Sequence, residues 1–150
     1  MRKPLNDTQL EIKEVVEVHD CFIAGPSFAQ LKGRTISLSE LLAAPLILLE
    51  EGSISRQYIN RYFQRYGYDI VTEFELGNLD LLVEFARIGL GVACITREFI
   101  DYDRSPMLFE LELEEQIPPR KIGIIKLKHS ALSQAAQTFI DSFLTICSKD

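Results

Sequence analysis

The stretch Ala86-Arg-Ile-Gly-Leu-Gly-Val-Ala-Cys-Ile-Thr96 changes its period in the middle. Leading into it, Leu79, Leu82, Val83 and Ala86 recur at helical spacing, whereas Val92 to Ile95 is an unbroken apolar run of strand length. Gly89 is placed to end the helix with a positive φ. Gly91 either bends the chain or lets it pack closely as it enters the strand. A helix passing through a two-glycine turn into a buried strand is the second half of an αβ unit, so the chain reads as α/β.

Working outward toward the N-terminus, Gly77-Asn78 opens that helix, with Asn78 as N-cap and Asp80 in the first turn, where a negative charge suits the helix dipole. Ile70 to Leu76 alternates like a strand with one polar side. Before it, Ile54, Tyr58, Tyr62 and Tyr66 recur at fourfold spacing on a helix that Gly67 closes. Its apolar stripe, widened by Ile59 and Phe63, exceeds one core face. The tyrosines therefore either pack on another subunit or cover the core edge with their hydroxyls in water.

Pro45 to Glu50 is an uninterrupted apolar run, as expected for a parallel strand covered on both faces. Ser37-Leu-Ser-Glu40 has the spacing of a capping box, and Val15 to Gly25 reads as one largely buried strand. Two successive αβ units predict a mostly parallel central sheet with helices on both faces. On the other side, Glu98 to Glu115 is acidic and irregular, with a strand expected around Met107 to Leu113. Lys121 to Leu127 reads as a strand. Leu132 to Ile146 reads as an amphipathic helix with Leu132, Ala135, Ala136, Phe139, Ile140 and Phe143 on one side.

The 150 residues fit one domain, and 47% hydrophobic with 25% charged residues is the composition of an ordinary globular chain. A net charge of -6 repels phosphate, and no local basic patch offsets it, so this chain is not expected to touch nucleic acid directly. Cys21, Cys94 and Cys147 cannot all pair and form no CxxC, which argues against a disulfide framework or a zinc site. A reducing, cytoplasmic compartment fits. The start, MRKPLNDTQL, lacks the apolar core of a signal peptide. The longest apolar run, Leu41 to Leu49, is broken by Pro45 and is too short to span a bilayer.

Catalytic chemistry finds no support. The only histidines, His19 and His129, lie in no nucleophile or metal motif, and neither GxGxxG nor GxxxxGK[ST] occurs. No catalytic residue, metal or cofactor is assigned, and the chain is not expected to be an enzyme. What remains is a set of strand-to-helix junctions. Ligands of open α/β sheets collect at the carboxyl ends of strands, where helix N-termini offer unpaired amides. Here the junctions are Glu51-Gly52-Ser53, Gly77-Asn78 and Ile95-Thr96. Ordinary capping accounts for Ser53 and Asn78 equally well. An amide cradle favours an anion such as a carboxylate, a preference that Glu50 and Glu51 weaken if they point inward.

The order ISLSELLAAPLILLEEGS, then FELGNLDLLVEFARIGLGVACIT, then a basic strand and LSQAAQTFIDSFL resembles the effector-binding domain of LysR-type transcriptional regulators. The resemblance runs from about Leu10 to Leu144. It implies a lobe similar to type II periplasmic binding proteins, with a hinge strand near 15–25, a core lobe over about 18–127 and a C-terminal return helix over 131–147. It implies that DNA is met only through a helix-turn-helix domain that this chain lacks, along with the first regulatory lobe.

It further implies a small effector held by Gly52, Ser53, Ile54, Ser55, Gly77, Asn78, Thr96 and the hinge residue His19. Many family members carry a proline where Thr96 stands. The resemblance also implies a homodimer through the surface of Tyr58, Tyr62, Thr72 and Phe74. The alternative is a fragment of a periplasmic-type solute-binding protein, which shares the two-lobed plan. A flavodoxin-like enzyme, or a fragment that associates without a ligand of its own, stand behind it.

Overall fold

The computed structural model describes residues 8–147; the basic start Met1-Arg2-Lys3 lies outside them. The chain divides into two compact units, one spanning His19–Pro118 and the other the described parts of Met1–Val18 and Pro119–Asp150.

The larger unit is built on a five-stranded sheet in the order β5-β4-β6-β2-β7. Its strands are β2 (Asp20–Ala24), β4 (Leu46–Leu49), β5 (Phe74–Leu76), β6 (Val92–Thr96) and β7 (Phe109–Glu110). A short parallel pair, β3 (Thr35–Ile36) with β8 (Glu112–Leu113), stands apart from it. The expected mostly parallel sheet is corrected to a mixed one. β4 pairs in parallel with β5 and β6, but β2 runs antiparallel to both β6 and β7. The αβ units account only for the parallel pairs. β2 is fed from outside those units, and an apolar strand pattern carries no information about direction.

Helices cover both faces, as expected. On one face α2 (Ile54–Arg65) buries Ile59, Tyr62 and Phe63 against Phe22, Leu46, Leu48, Val92 and Cys94. The Phe22 and Phe63 rings meet edge to face at 6.0 Å. On the other face α3 (Leu79–Arg87) buries Leu82 and Ala86 against Cys21, Ile23, Ile47, Ala93 and Ile95. Successive residues of β2, β4 and β6 thus go to opposite faces, and both faces are dry. That explains why these strands read as continuous apolar runs.

The local signals hold where side chains close them. Ser37 accepts from Glu40 N–H to start α1 (Leu38–Leu42), while the Glu40 carboxylate accepts from the Arg34 guanidinium. Gly89 ends α3 at φ 85°. Only Phe74–Leu76 of the expected strand Ile70–Leu76 pairs in the sheet.

Val15 to Gly25 is not one strand but two. Its first part belongs to β1 (Leu10–Val18), which pairs antiparallel with β9 (Arg120–Leu127) in the second unit; its last part is β2. Apolar character runs through His19 without marking the change of partner. In this second unit α4 (Gln134–Cys147) follows the two-stranded ladder. Ala136, Ile140 and Phe143 are half-buried, whereas Ala135 and Phe139, expected on the same buried side, are exposed. A two-stranded ladder is narrower than the helix's apolar arc. Phe139 covers itself partly by stacking on Phe143, ring centroids 6.1 Å apart.

Candidate functional site

The strand order places a topological switch at the centre of the larger unit. α2 leads from β4 to its neighbour β5 on one side, and α3 leads from β5 back across to β6 on the other side of β4. The carboxyl ends of β4 and β6 therefore lie side by side while their connections diverge, the position where open α/β sheets form a crevice. A recess lies there, lined by Asp20, Leu48, Leu49, Ser55, Arg56, Ile59, Leu79, Cys94, Ile95 and Thr96. Its cavity volume of about 10 Å³ is room for one water.

Two of the expected residues, Ser55 and Thr96, line this recess. Thr96 ends β6 and is 5% exposed, held there because it pairs with Asp20 across the β2–β6 ladder. Its hydroxyl donates to Asp20 Oδ1 at 3.1 Å. Ser55 lies in the first turn of α2. That turn is started by Ser53, whose Oγ accepts from the Arg56 N–H at 3.0 Å. Gly52, Ser53 and Ile54 lie at the same end of the sheet without lining the recess, and Ile54 is 66% exposed.

Asn78 also caps its own helix, its Oδ1 accepting from Asp80 N–H at 2.8 Å and Leu81 N–H at 3.3 Å. At Gly77 a side chain would begin 3.7 Å from the Glu50 carboxylate oxygens, so Glu50 stands over the start of α3. His19 begins the larger unit next to Asp20. Its backbone N–H and its ring Nδ1 meet the two Glu98 oxygens at 2.9 and 2.6 Å, and its carbonyl accepts from Arg97 N–H at 2.7 Å. Burial alone would raise the Glu98 carboxyl, but the hydrogen bonds from His19 hold it below the usual carboxylate range.

Asp20 and Arg56 were not expected at the site. Asp20 is 6% and Arg56 4% exposed, so both are charged groups taken out of water. Arg56 donates to Leu49 O at 2.9 Å, Asn60 Oδ1 at 2.9 Å and Glu75 Oε1 at 3.0 Å. It thereby ties the end of β4, the first turn of α2 and β5 together. Its hydrogen bond is the chief reason the Glu75 carboxyl is held below its ordinary range. The available signal was local. A basic residue in the first turn of a helix opposes the helix dipole, and an acid opening a strand otherwise of Cys, Phe, Ile and Ala breaks the pattern.

Of the expected dimer residues, Tyr62 is 3% exposed and donates its hydroxyl to Glu115 O, and Tyr58 donates to Pro118 O at 2.6 Å. Burial pushes the Tyr62 hydroxyl's pKa up. Thr72 donates to Glu75 Oε1 at 3.0 Å, and Phe74 packs edge-on against Phe85. Among the described residues no cluster of His, Cys, Asp and Glu is arranged to hold a metal ion, and no helix is long and apolar enough to cross a membrane.

A mixed, doubly covered α/β sheet with a mainly apolar recess that holds a few convergent polar groups at its switch point is the architecture of a ligand-binding lobe. The family model for the LysR substrate binding domain matches residues 1–148, and the chain belongs to that family. It is 27% identical over 139 residues to the uncharacterised HTH-type transcriptional regulator YeiE of Escherichia coli strain K12, covering 92% of this chain and 47% of that protein. It is 26% identical over 140 residues to the HTH-type transcriptional activator CmpR of Synechocystis, covering 93% of this chain and 46% of that protein.

The chain thus spans about half the length of these relatives. Its fold is similar to the regulatory domain of Synechocystis CcmR in complex with 2-PG, at TM-score 0.82 and 21% identity over 99% of this chain and 72% of that one. It is also similar to the effector-binding domain of QuiR in complex with shikimate, at TM-score 0.79 and 17% identity over 98% of this chain and 69% of that one. These likenesses establish the type II periplasmic-binding-like fold of LysR regulatory domains.

Proposed function

We propose that this chain is the ligand-sensing part of a LysR-type transcriptional regulator, and that it reads a small effector at the carboxyl ends of β4 and β6, over the recess that itself has room for one water. The observation that carries the reading is the pair of buried charged groups, Asp20 and Arg56, lining a recess at the switch point of a LysR regulatory fold. Buried charges are costly and are kept where they organise or bind something. Ser55 and Thr96 supply hydroxyls to the effector. Gly52, Ser53, Ile54, Gly77 and Asn78 shape the rim, and His19 with Glu98 holds the strand entry beside Asp20.

Two effector-bound regulatory domains of similar fold support this assignment, one with 2-PG and one with shikimate. Binding stabilises whichever arrangement of the regulator holds the effector better, and a coupling of about 1–3 kcal/mol changes occupancy by one to two orders of magnitude. The regulator works in the cytoplasm as a homodimer, carries no catalytic activity in this part, and meets DNA through a separate helix-turn-helix domain. Dimerisation runs along the edge strand β5 and the adjoining surface of Thr72, Phe74 and Tyr58, where among the described residues β5 has no outer neighbour in the sheet, whereas Tyr62, expected on this surface, is buried in the core at 3% exposure.

The test is a thermal-shift screen of the chain against small metabolites. Saturating a site at about 100 times Kd adds roughly 2.7 kcal/mol of stability, which raises Tm by several degrees. A hit that raises the Tm of the wild-type chain and loses that effect in Ser55→Ala and Thr96→Val supports sensing at this recess. A hit that survives both substitutions places the site elsewhere.

A further inference from the structure

We infer that the groove between α4 and the β1–β9 ladder, wholly inside the smaller unit, is a separate small-molecule site whose chemistry matches a free aliphatic amino acid. It stands independently of the sensing reading at the strand ends of the larger unit.

The ladder register decides which face the helix covers. Glu11 stands opposite Lys126 and Lys13 opposite Ile124, and these four alternate along the strands with the Leu10–Leu127 and Ile12–Ile125 pairs on the other face. α4 lies over the charged face. Its residues Gln137, Ile140, Asp141 and Leu144, spaced by three and four, share with those four ladder residues the lining of a cavity of about 240 Å³. Charged side chains beneath a helix keep their heads in contact with water or a ligand, so the seam stays open. The space admits a small organic molecule, unlike the recess at the strand ends.

One pair of charges in the groove is settled: Lys126 Nζ meets Glu11 Oε2 at 3.3 Å. Lys13 and Asp141 are not. Among the described residues neither forms an ion pair, and they stand on opposite walls, Lys13 on the ladder and Asp141 on the helix. Asp141 Oδ1 accepts from Gln137 Nε2 at 3.0 Å, which holds the carboxylate and leaves its second oxygen as an acceptor.

The rest of the lining is aliphatic: Ile124, Leu132, Ile140 and Leu144. A cation on one wall, an anion on the other and an aliphatic patch around the same space call for one skeleton with three matching parts. A carboxylate meets Lys13, an ammonium meets Asp141, and a branched apolar chain lies on the patch. A free amino acid such as leucine carries all three, whereas the end of a peptide carries only one of the two charges.

Three probes separate these parts: leucine, N-acetylleucine, which lacks the ammonium, and leucinamide, which lacks the carboxylate. Backbone amide shifts of the isotope-labelled chain are followed by NMR during titration with each. Leucine is expected to saturate shifts at Lys13, Ile124, Gln137 and Asp141 at concentrations about tenfold or more below either derivative. Lys13→Gln is expected to weaken leucine by about tenfold and leave leucinamide unchanged. Asp141→Asn is expected to weaken leucine and leave N-acetylleucine unchanged.

Both substituted side chains are exposed, so both variants are expected to keep the fold. Either derivative binding as tightly as leucine overturns the amino-acid assignment. Leucine shifts that are absent from the groove, or that persist undiminished in both variants, overturn the site itself. Should leucine instead move Ser55 and Thr96, the groove inference falls while the sensing reading stands.

Discussion

Gly91 lies flat against Pro45: a side chain begun on Gly91 would stand 2.4 Å from the Pro45 carbonyl oxygen, which accepts the Val92 N–H at 2.8 Å. The same side chain would press on Ile47 at 3.1 Å. Gly91 is therefore required for close approach, whereas Gly89 is required for its positive φ of 85°. Gly91→Val forces β6 away from β4, the two strands whose ends carry the recess. The expected cost is about 2–4 kcal/mol, read as a fall in the urea midpoint. An unchanged midpoint would show that the β4–β6 contact yields without cost.

Arg56 is the second structural joint of the site. Its guanidinium is buried and bonded to three elements, so Arg56→Ala leaves Leu49 O and Asn60 without their donor inside the unit. A loss of about 2–4 kcal/mol is expected by urea unfolding. Arg56→Lys keeps the charge but not the planar fork and is expected to recover only part of this loss. Full recovery by lysine would mean that charge alone, not the three-way hydrogen bonding, sets the contribution.

These two joints show how the sequence carries this fold. The Gly89-Leu-Gly91 turn, the caps Ser37, Ser53 and Asn78 and the apolar runs of β4 and β6 are local, and each forms as the pattern predicts. Strand direction is not local. β2 was readable as buried but not as antiparallel, and the change of partner at His19 is set by β9, about a hundred residues downstream along the chain. The site divides the same way. Ser55 and Thr96 follow from being at helix starts and strand ends, whereas Asp20 joins them only because the β2–β6 register sets it opposite Thr96. The amide junctions were legible, but the approach of the Glu50 carboxylate to Gly77 depends on a side-chain direction that spacing does not encode.

Acid is expected to weaken the larger unit through Glu75 and Glu98. Both carboxyls are held below the ordinary value of about 4.3, Glu75 by Arg56 and Thr72, Glu98 by His19 against the opposing effect of burial. A depressed folded-state pKa contributes stability that is fully present above the unfolded value and is lost as pH falls through the folded one. The urea midpoint should therefore be flat from neutrality down to about pH 5 as far as these groups are concerned, and fall below it. Glu75→Gln with Glu98→Gln should lower the midpoint at neutral pH and flatten its acid decline. An equally steep decline in the double variant would assign acid sensitivity to other carboxylates.

The proposed dimer is tested most cleanly away from the tyrosines. Tyr62 is 3% exposed and hydrogen-bonded within the chain, so Tyr62→Glu would bury a charge and report on folding instead of association. Val71, by contrast, is 84% exposed just before the edge strand β5, next to Thr72. An exposed apolar side chain beside an open strand edge invites pairing with another copy, and a charge there opposes it. Val71→Lys is expected to convert a dimer of the wild-type chain into a monomer in sedimentation velocity, with the melting temperature of the dilute, dissociated chain unchanged. A Val71→Lys chain that sediments as the wild-type dimer does would place the interface away from the β5 edge.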